Sequence, residues 1–222
     1  MLAMVLMLHG CTNPVRTTAM PAAPSHEAAV THGATVYALD PEKSQVEILV
    51  YRGGALARFG HNHVMTSKKL AGQVWTNPEL EKSGFDISFQ VQDLVVDDAE
   101  ARRAAGSDFP PEIPQADKDA TRTNMLKPEV LDAERFPEIR VQASKVEGNL
   151  SAPQVVAGIS IKGVRREIVI PVALSVEPSQ LSAQGEFDVL QSEFGIKPFS
   201  AGLGALQVQD RLHVRFKIVA RR

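Results

Sequence analysis

Cysteine is almost missing from this chain: Cys11 is the single one. One thiol cannot close an internal disulfide, and no Cys-x-x-Cys pair is available for zinc or thiol exchange. An excess of either charge is missing too. The 24 lysines and arginines against 26 aspartates and glutamates leave a formal net charge of −2, which gives no electrostatic case for nucleic-acid binding. Aromatics are only 5% of residues, and Lys68-Lys69 is a lone basic pair, so no basic–aromatic interleaving is present. The apolar run from Met1 to Leu8 is too short to span a bilayer. Catalytic signatures are lacking as well. No serine stands in Gly-x-Ser-x-Gly, and Ser192-Glu193-Phe194-Gly195 has no nucleophile-elbow context. Gly202-Leu203-Gly204 lacks the strand–turn–helix setting of a phosphate loop. These absences point away from an enzyme.

What is present is alternation. Hydrophobic residues make up 44% of 222, enough for one sizeable core and marginal for two. Residues 85–92 put Phe85, Ile87, Phe89 and Val91 on one face and Asp86, Ser88, Gln90 and Gln92 on the other. Strict period two of this kind predicts a strand with one dry and one wet side. Segments 44–51, 70–76, 138–146, 154–161, 166–176, 182–191 and 211–219 follow the same rule, with 94–96 as an extension of 85–92. Pro171 lacks a ladder donor and is expected at an edge, bulge or distortion. The one non-β stretch is 98–126, predicted as two short helices separated by the Pro- and Gly-rich segment 106–114 and packed over a barrel end or mouth. Within it Asp97 or Asp98 is expected to cap a helix start, and the cluster Asp93, Asp97, Asp98 and Glu100 to be solvated charge. The expectation is an all-β antiparallel barrel or sandwich, since either buries every dry face and limits open edges.

The N-terminal residues 1–11 end in Leu8-His9-Gly10-Cys11, which resembles a bacterial lipoprotein box with Cys11 as the lipidated residue. Residues 12–35, rich in Pro, Ala, Thr and Ser, are expected to be a flexible linker carrying His26 and His32. The folded domain is expected over 36–220.

Four segments then carry a likeness. Tyr37-Ala38-Leu39-Asp40 with Ser44-Gln45-Val46 opens it, and Met125-Leu126 through Phe136-Pro137-Glu138-Ile139 continues it. Gly158 through Gly163-Val164, followed by Ile168 and Ile170, is the third. Phe194-Gly195-Ile196 with Val208, Asp210 and Leu212 closes it. In this order and spacing the chain resembles the YceI-like family of periplasmic lipocalin-like barrels that bind polyisoprenoid or other lipid chains. The resemblance implies a lipocalin-like barrel of about eight strands, just wide enough to hold a small or elongated ligand. It also implies non-catalytic binding of a long-chain amphiphile, needs no cofactor, and allows a homodimer. The chain departs from the family at Phe59-Gly60-His61-Asn62-His63, where one histidine is usual, and at Trp75, where a phenylalanine is usual.

The candidate ligand-lining residues are Phe59, Trp75, Phe85, Phe89, Met125, Leu126 and Phe136, with His61 and His63 as polar neighbours for a head group. At i and i+2 in extended chain the two histidines point the same way, so a metal- or haem-associated protein is the alternative. A third donor would have to come from afar, such as His213, Asp97 or Asp98, and Phe-Gly-His-Asn-His does not match His-Glu-x-x-His.

Overall fold

The computed structural model describes residues 33–149 and 152–222. The expected lipidation site Cys11, the linker histidines His26 and His32, and nearly all of the linker therefore lie outside the described residues.

The described residues form thirteen strands in one antiparallel sheet, against the eight or so expected. They are β1 (Thr35–Leu39), β2 (Gln45–Gly53), β3 (His63–Ser67), β4 (Ala71–Thr76), β5 (Gly84–Gln90), β6 (Val95–Val96) and β7 (Glu138–Asn149). After them come β8 (Ala152–Ile161), β9 (Val164–Pro171), β10 (Ala173–Val176), β11 (Gln180–Leu190), β12 (Ser200–Ala201) and β13 (Leu206–Arg221). Of the five beyond eight, β1 and β3 are strands that the alternation did not mark, and the other three are fragments. β6 and β12 are two-residue strands, and the predicted segment 166–176 is split into β9 and β10.

The wall runs β6-β3-β2-β13-β1-β4-β5-β7-β8-β9, and β11 pairs both β10 and β13. β13 organises this arrangement. Its 16 residues serve β2 along one edge and β1 at the end of that edge, where Ala220 meets Leu39. β11 follows its other edge from Arg211 to Arg221. Among the described residues no ladder joins β9 to β11, and the chain itself bridges the gap by passing from Pro171 through Val172 into β10. Proline brings no N–H to the ladder, which is why the strand breaks there. The barrel is thus rounded by its covalent chain where hydrogen bonds stop.

Turns match their residues. Lys162 and Gly163 both have positive φ (51° and 75°) between paired Ile161 and Val164, the geometry of a two-residue I′ hairpin. Gly72 (φ 130°) pairs Ile87 so closely that an added Cβ would lie 2.0 Å from the Asp86 carbonyl oxygen.

Two helices interrupt the strands, α1 (Ala99–Ala105) and α2 (Gln115–Leu126). Asp98 caps α1, its Oδ1 accepting from the N–H groups of Glu100 and Ala101 at 3.0 Å. α1 lies against the outside of the wall, where Leu49, Val64 and Phe109 are buried with Tyr51, Ala101 and Ala105 around them. Only α2 takes the expected place at a barrel end. Arg122 pins it by donating to the Leu94 and Gln92 carbonyls at 2.7 and 2.6 Å, and Met125 enters the main core.

Candidate functional site

The inward side chains of the strands leave open space within the barrel. They surround a cavity of about 350 Å³, within the range of ligand pockets. Each long strand contributes every second residue: Val46, Ile48 and Val50 from β2, Phe85, Ile87 and Phe89 from β5, Leu212, Val214, Phe216 and Ile218 from β13. The lining side chains include no Asp, Glu, Lys or Arg. Its six polar ones fall at two ends: His63, Thr121, Asn124 and Gln191 where α2 closes the barrel, and Thr76 and Ser83 at the opposite end. Ladder register places the first group. His63 faces Val50, which faces Leu212, which faces Val189, two residues before Gln191. The space between the ends is walled by hydrocarbon. Such a site offers a ligand chiefly apolar surface, with the His63 imidazole and a few other hydrogen-bonding groups at its extremities.

Of the residues singled out in the sequence, His63, Trp75, Phe85, Phe89 and Met125 line this cavity. The indole Nε1 of Trp75 donates to the Lys82 carbonyl at 3.1 Å, so its polar atom is satisfied while the ring faces inward. The other four do not line it. Phe59 is 66% exposed on the loop after β2, beneath the Arg58 guanidinium. His61 is exposed beside Asp117 at 3.9 Å. Leu126 packs against the core from the end of α2. Phe136 lies outside, against the Lys162-Gly163 turn and under Arg135. The aliphatic lining of β2, β8, β11 and β13 was missed as a site, although the alternation of each strand marks it.

The two histidines do not converge. Their ring centroids are 6.4 Å apart and nearly perpendicular, and each is drawn to its own carboxylate. His213, on β13, sits between Asp188 and Glu186 instead. No group of three or more His, Cys, Asp or Glu that would hold a metal occurs among the described residues.

His63 belongs to a buried charge cluster. Its Nδ1 lies 2.7 Å from Asp97 Oδ2, and Asp97 Oδ1 accepts from the Val64 N–H at 2.9 Å and from the Arg102 guanidinium. Asp97 is fully buried with φ 55°, so it is not the solvated acid that the sequence suggested. Burial pushes the Asp97 carboxyl up, but the hydrogen bonds from His63, Val64 and Arg102 outweigh it and hold the group below its ordinary value. Arg102, also fully buried, donates onward to the Asn62 and Pro110 carbonyls. The cluster thus fixes the start of β3, the segment after α1 and the His63 ring in one arrangement.

The model of the YceI-like domain family matches residues 37–220. The crystal structure of BcnA from Burkholderia cenocepacia superposes with a TM-score of 0.60 at 16% identity, over 82% of this chain and 99% of that one. A polyisoprenoid binding domain from Saccharophagus degradans, implicated in plant cell wall breakdown, gives 0.55 at 11% identity, over 83% and 97%. At these identities the likeness to the solved structures is one of fold. No curated protein sequence matches the chain.

Proposed function

The chain belongs to the YceI-like domain family, and on that premise we propose that it binds one long apolar chain, a lipid or isoprenoid-like amphiphile, inside its barrel without catalysing a reaction on it. The observation that carries this is the hydrocarbon-lined cavity of about 350 Å³ with polar side chains only at its ends. Taking a methylene as comparable in volume to a water molecule, ~30 Å³, the space accepts roughly a dozen. Their burial yields a gross gain of about 0.8 kcal/mol each, before the cost of ordering ligand and protein. The polar ends suit an amphiphile, whose head group has Asn124, Gln191 and His63 within reach of one mouth. The polyisoprenoid-binding domain of the same fold supports the isoprenoid-like class.

We place this activity in the bacterial cell envelope, with the chain tethered to the membrane through lipidated Cys11. The Leu8–Cys11 box supports that placement. Organic extraction of the purified protein, followed by mass spectrometry, is expected to release a long-chain molecule, and a delipidated sample is expected to take up a fluorescent prenyl or fatty-acyl probe. Failure of both refutes the binding function. Detergent phase partitioning that is the same for the native chain and Cys11→Ser refutes the anchor.

A further inference from the structure

Among the described residues, four of the seven large exposed hydrophobic ones, Leu56, Phe59, Phe199 and Leu203, lie on two neighbouring segments, while Val95, Val169 and Val176 are scattered on strands. One follows β2, and the other runs from Lys197 through β12 to the start of β13. They are held side by side, the Leu56 N–H donating to the Ala205 carbonyl at 2.7 Å and Gly60 lying against Leu206. Leu203 is fully exposed between Gly202 and Gly204, with φ 56°. That conformation is strained for a branched side chain, and it holds an aliphatic group where packing within the chain gives it nothing.

Two further observations say what covers this rim. Phe199 is both exposed and part of the cavity lining, so the rim is continuous with the interior. Neither residues 52–63 nor residues 196–207 contain an acid, whereas they carry Arg52, Arg58 and Lys197. Acids stand in adjoining segments: Asp108 and Asp117 beside Asn62 and His61, and Glu129, whose carbonyl accepts from the Lys197 N–H at 3.3 Å. Apolar side chains at a loop tip, flanked by cations, match the interface of an anionic bilayer, where hydrocarbon enters the acyl boundary and arginine or lysine meets phosphate. From the geometry we propose that this rim docks on an anionic phospholipid surface and is the portal through which an apolar chain passes between bilayer and cavity. The portal half of this inference rests on the function proposed above; the docking half does not.

The test uses the full chain carrying Cys11→Ser, so that no lipid anchor contributes, with a nitrobenzoxadiazole label on Leu203→Cys. Vesicles of phosphatidylcholine with roughly a third phosphatidylglycerol are added. The label is expected to brighten and shift to the blue, and to be quenched by spin-labelled acyl chains. The same label on Val169→Cys, exposed on the outer face of β9, is expected to stay aqueous. Each cation near the surface strengthens partitioning about fivefold, so Arg58→Glu with Lys197→Glu is expected to weaken it by roughly 25-fold or more. A Leu203 label that stays in water overturns the docking, as does one that becomes buried with rising protein concentration alone, which assigns the rim to a second copy. Insertion without uptake of a detergent-delivered acyl probe retains the docking and refutes the carrier function. Uptake that proceeds equally fast from vesicles when Leu203 and Phe59 are both changed to Glu overturns the portal.

Discussion

The sharpest perturbation is to put carbon where the ligand is proposed to lie. Val141 sits mid-strand in β7 between Ile87 and Ile159, and all three line the cavity. It is only half-buried although it faces inward, packing against core side chains while one side borders the cavity. Val141→Phe adds four side-chain carbons that can turn into that space. If they displace about four methylenes of ligand, the loss is ~3 kcal/mol at 0.8 kcal/mol each, or roughly 200-fold in Kd. Stability is expected to hold or rise slightly, since a partly empty site is being filled and not overpacked. Titration with a fluorescent acyl probe, alongside a thermal melt of each protein, reads both quantities. A ladder of chain lengths sharpens the test: affinity for the native protein is expected to climb for roughly the first dozen methylenes and then level off, and the variant to level off earlier. Val169→Phe on the outer face controls for added hydrophobicity. A folded Val141→Phe with unchanged Kd would mean that the ligand does not occupy the barrel.

Trp75 is the only tryptophan and lines the cavity, so its emission is expected to be quenched by a brominated acyl chain, with the extent of quenching tracking probe binding. Arg102→Met leaves Asp97 buried with one cation fewer and frees the Asn62 and Pro110 carbonyls. A loss of about 3–5 kcal/mol is expected in urea denaturation, and a loss below 1 kcal/mol would show that the cluster does not hold the segment after α1. Because the Asp97 pKa is lowered on folding, its contribution is complete above the unfolded carboxylate value of about 3.9 and vanishes as pH falls through the lower folded one. Acid melts of Asp97→Asn are therefore expected to be flatter than those of the native chain below that value. Gly72→Ala forces a Cβ to within 2.0 Å of the Asp86 carbonyl oxygen, and is expected to cost about 2 kcal/mol or more by the same denaturation assay.

What could be read from the chain follows from one physical rule and fails where a second element intrudes. Alternation records which side of a strand is wet. It therefore located β5, β8 and most of β13, whose inward Leu212, Val214, Phe216 and Ile218 line the cavity and whose outward Arg211, His213, Arg215 and Lys217 do not. The rule presumes that the outer face meets water. β3 breaks that presumption: Val64 is covered by Phe109 and α1, so four of the five residues of HVMTS are buried and no period-two signal survives. Asp97 was misjudged for the same reason, since nothing local announces that Arg102 and His63 will be buried around it.

The candidate site repeats this division. Of the candidate lining residues, Phe59 and Phe136 stand off the strands, where the chain, not the strand pleat, decides direction. The aliphatic strand residues that surround the cavity were visible as dry faces but indistinguishable from a packed core. Whether two dry faces touch or stand apart depends on the curvature of the whole wall, and that is set by distant events. One is the long β13 serving β1, β2 and β11 together; another is the break at Pro171 that lets β10 turn toward β11. Alternation within a strand is a local property and a void is a global one. A binding function that rests on the void is therefore best tested by filling it, not by deleting any one of the side chains that surround it.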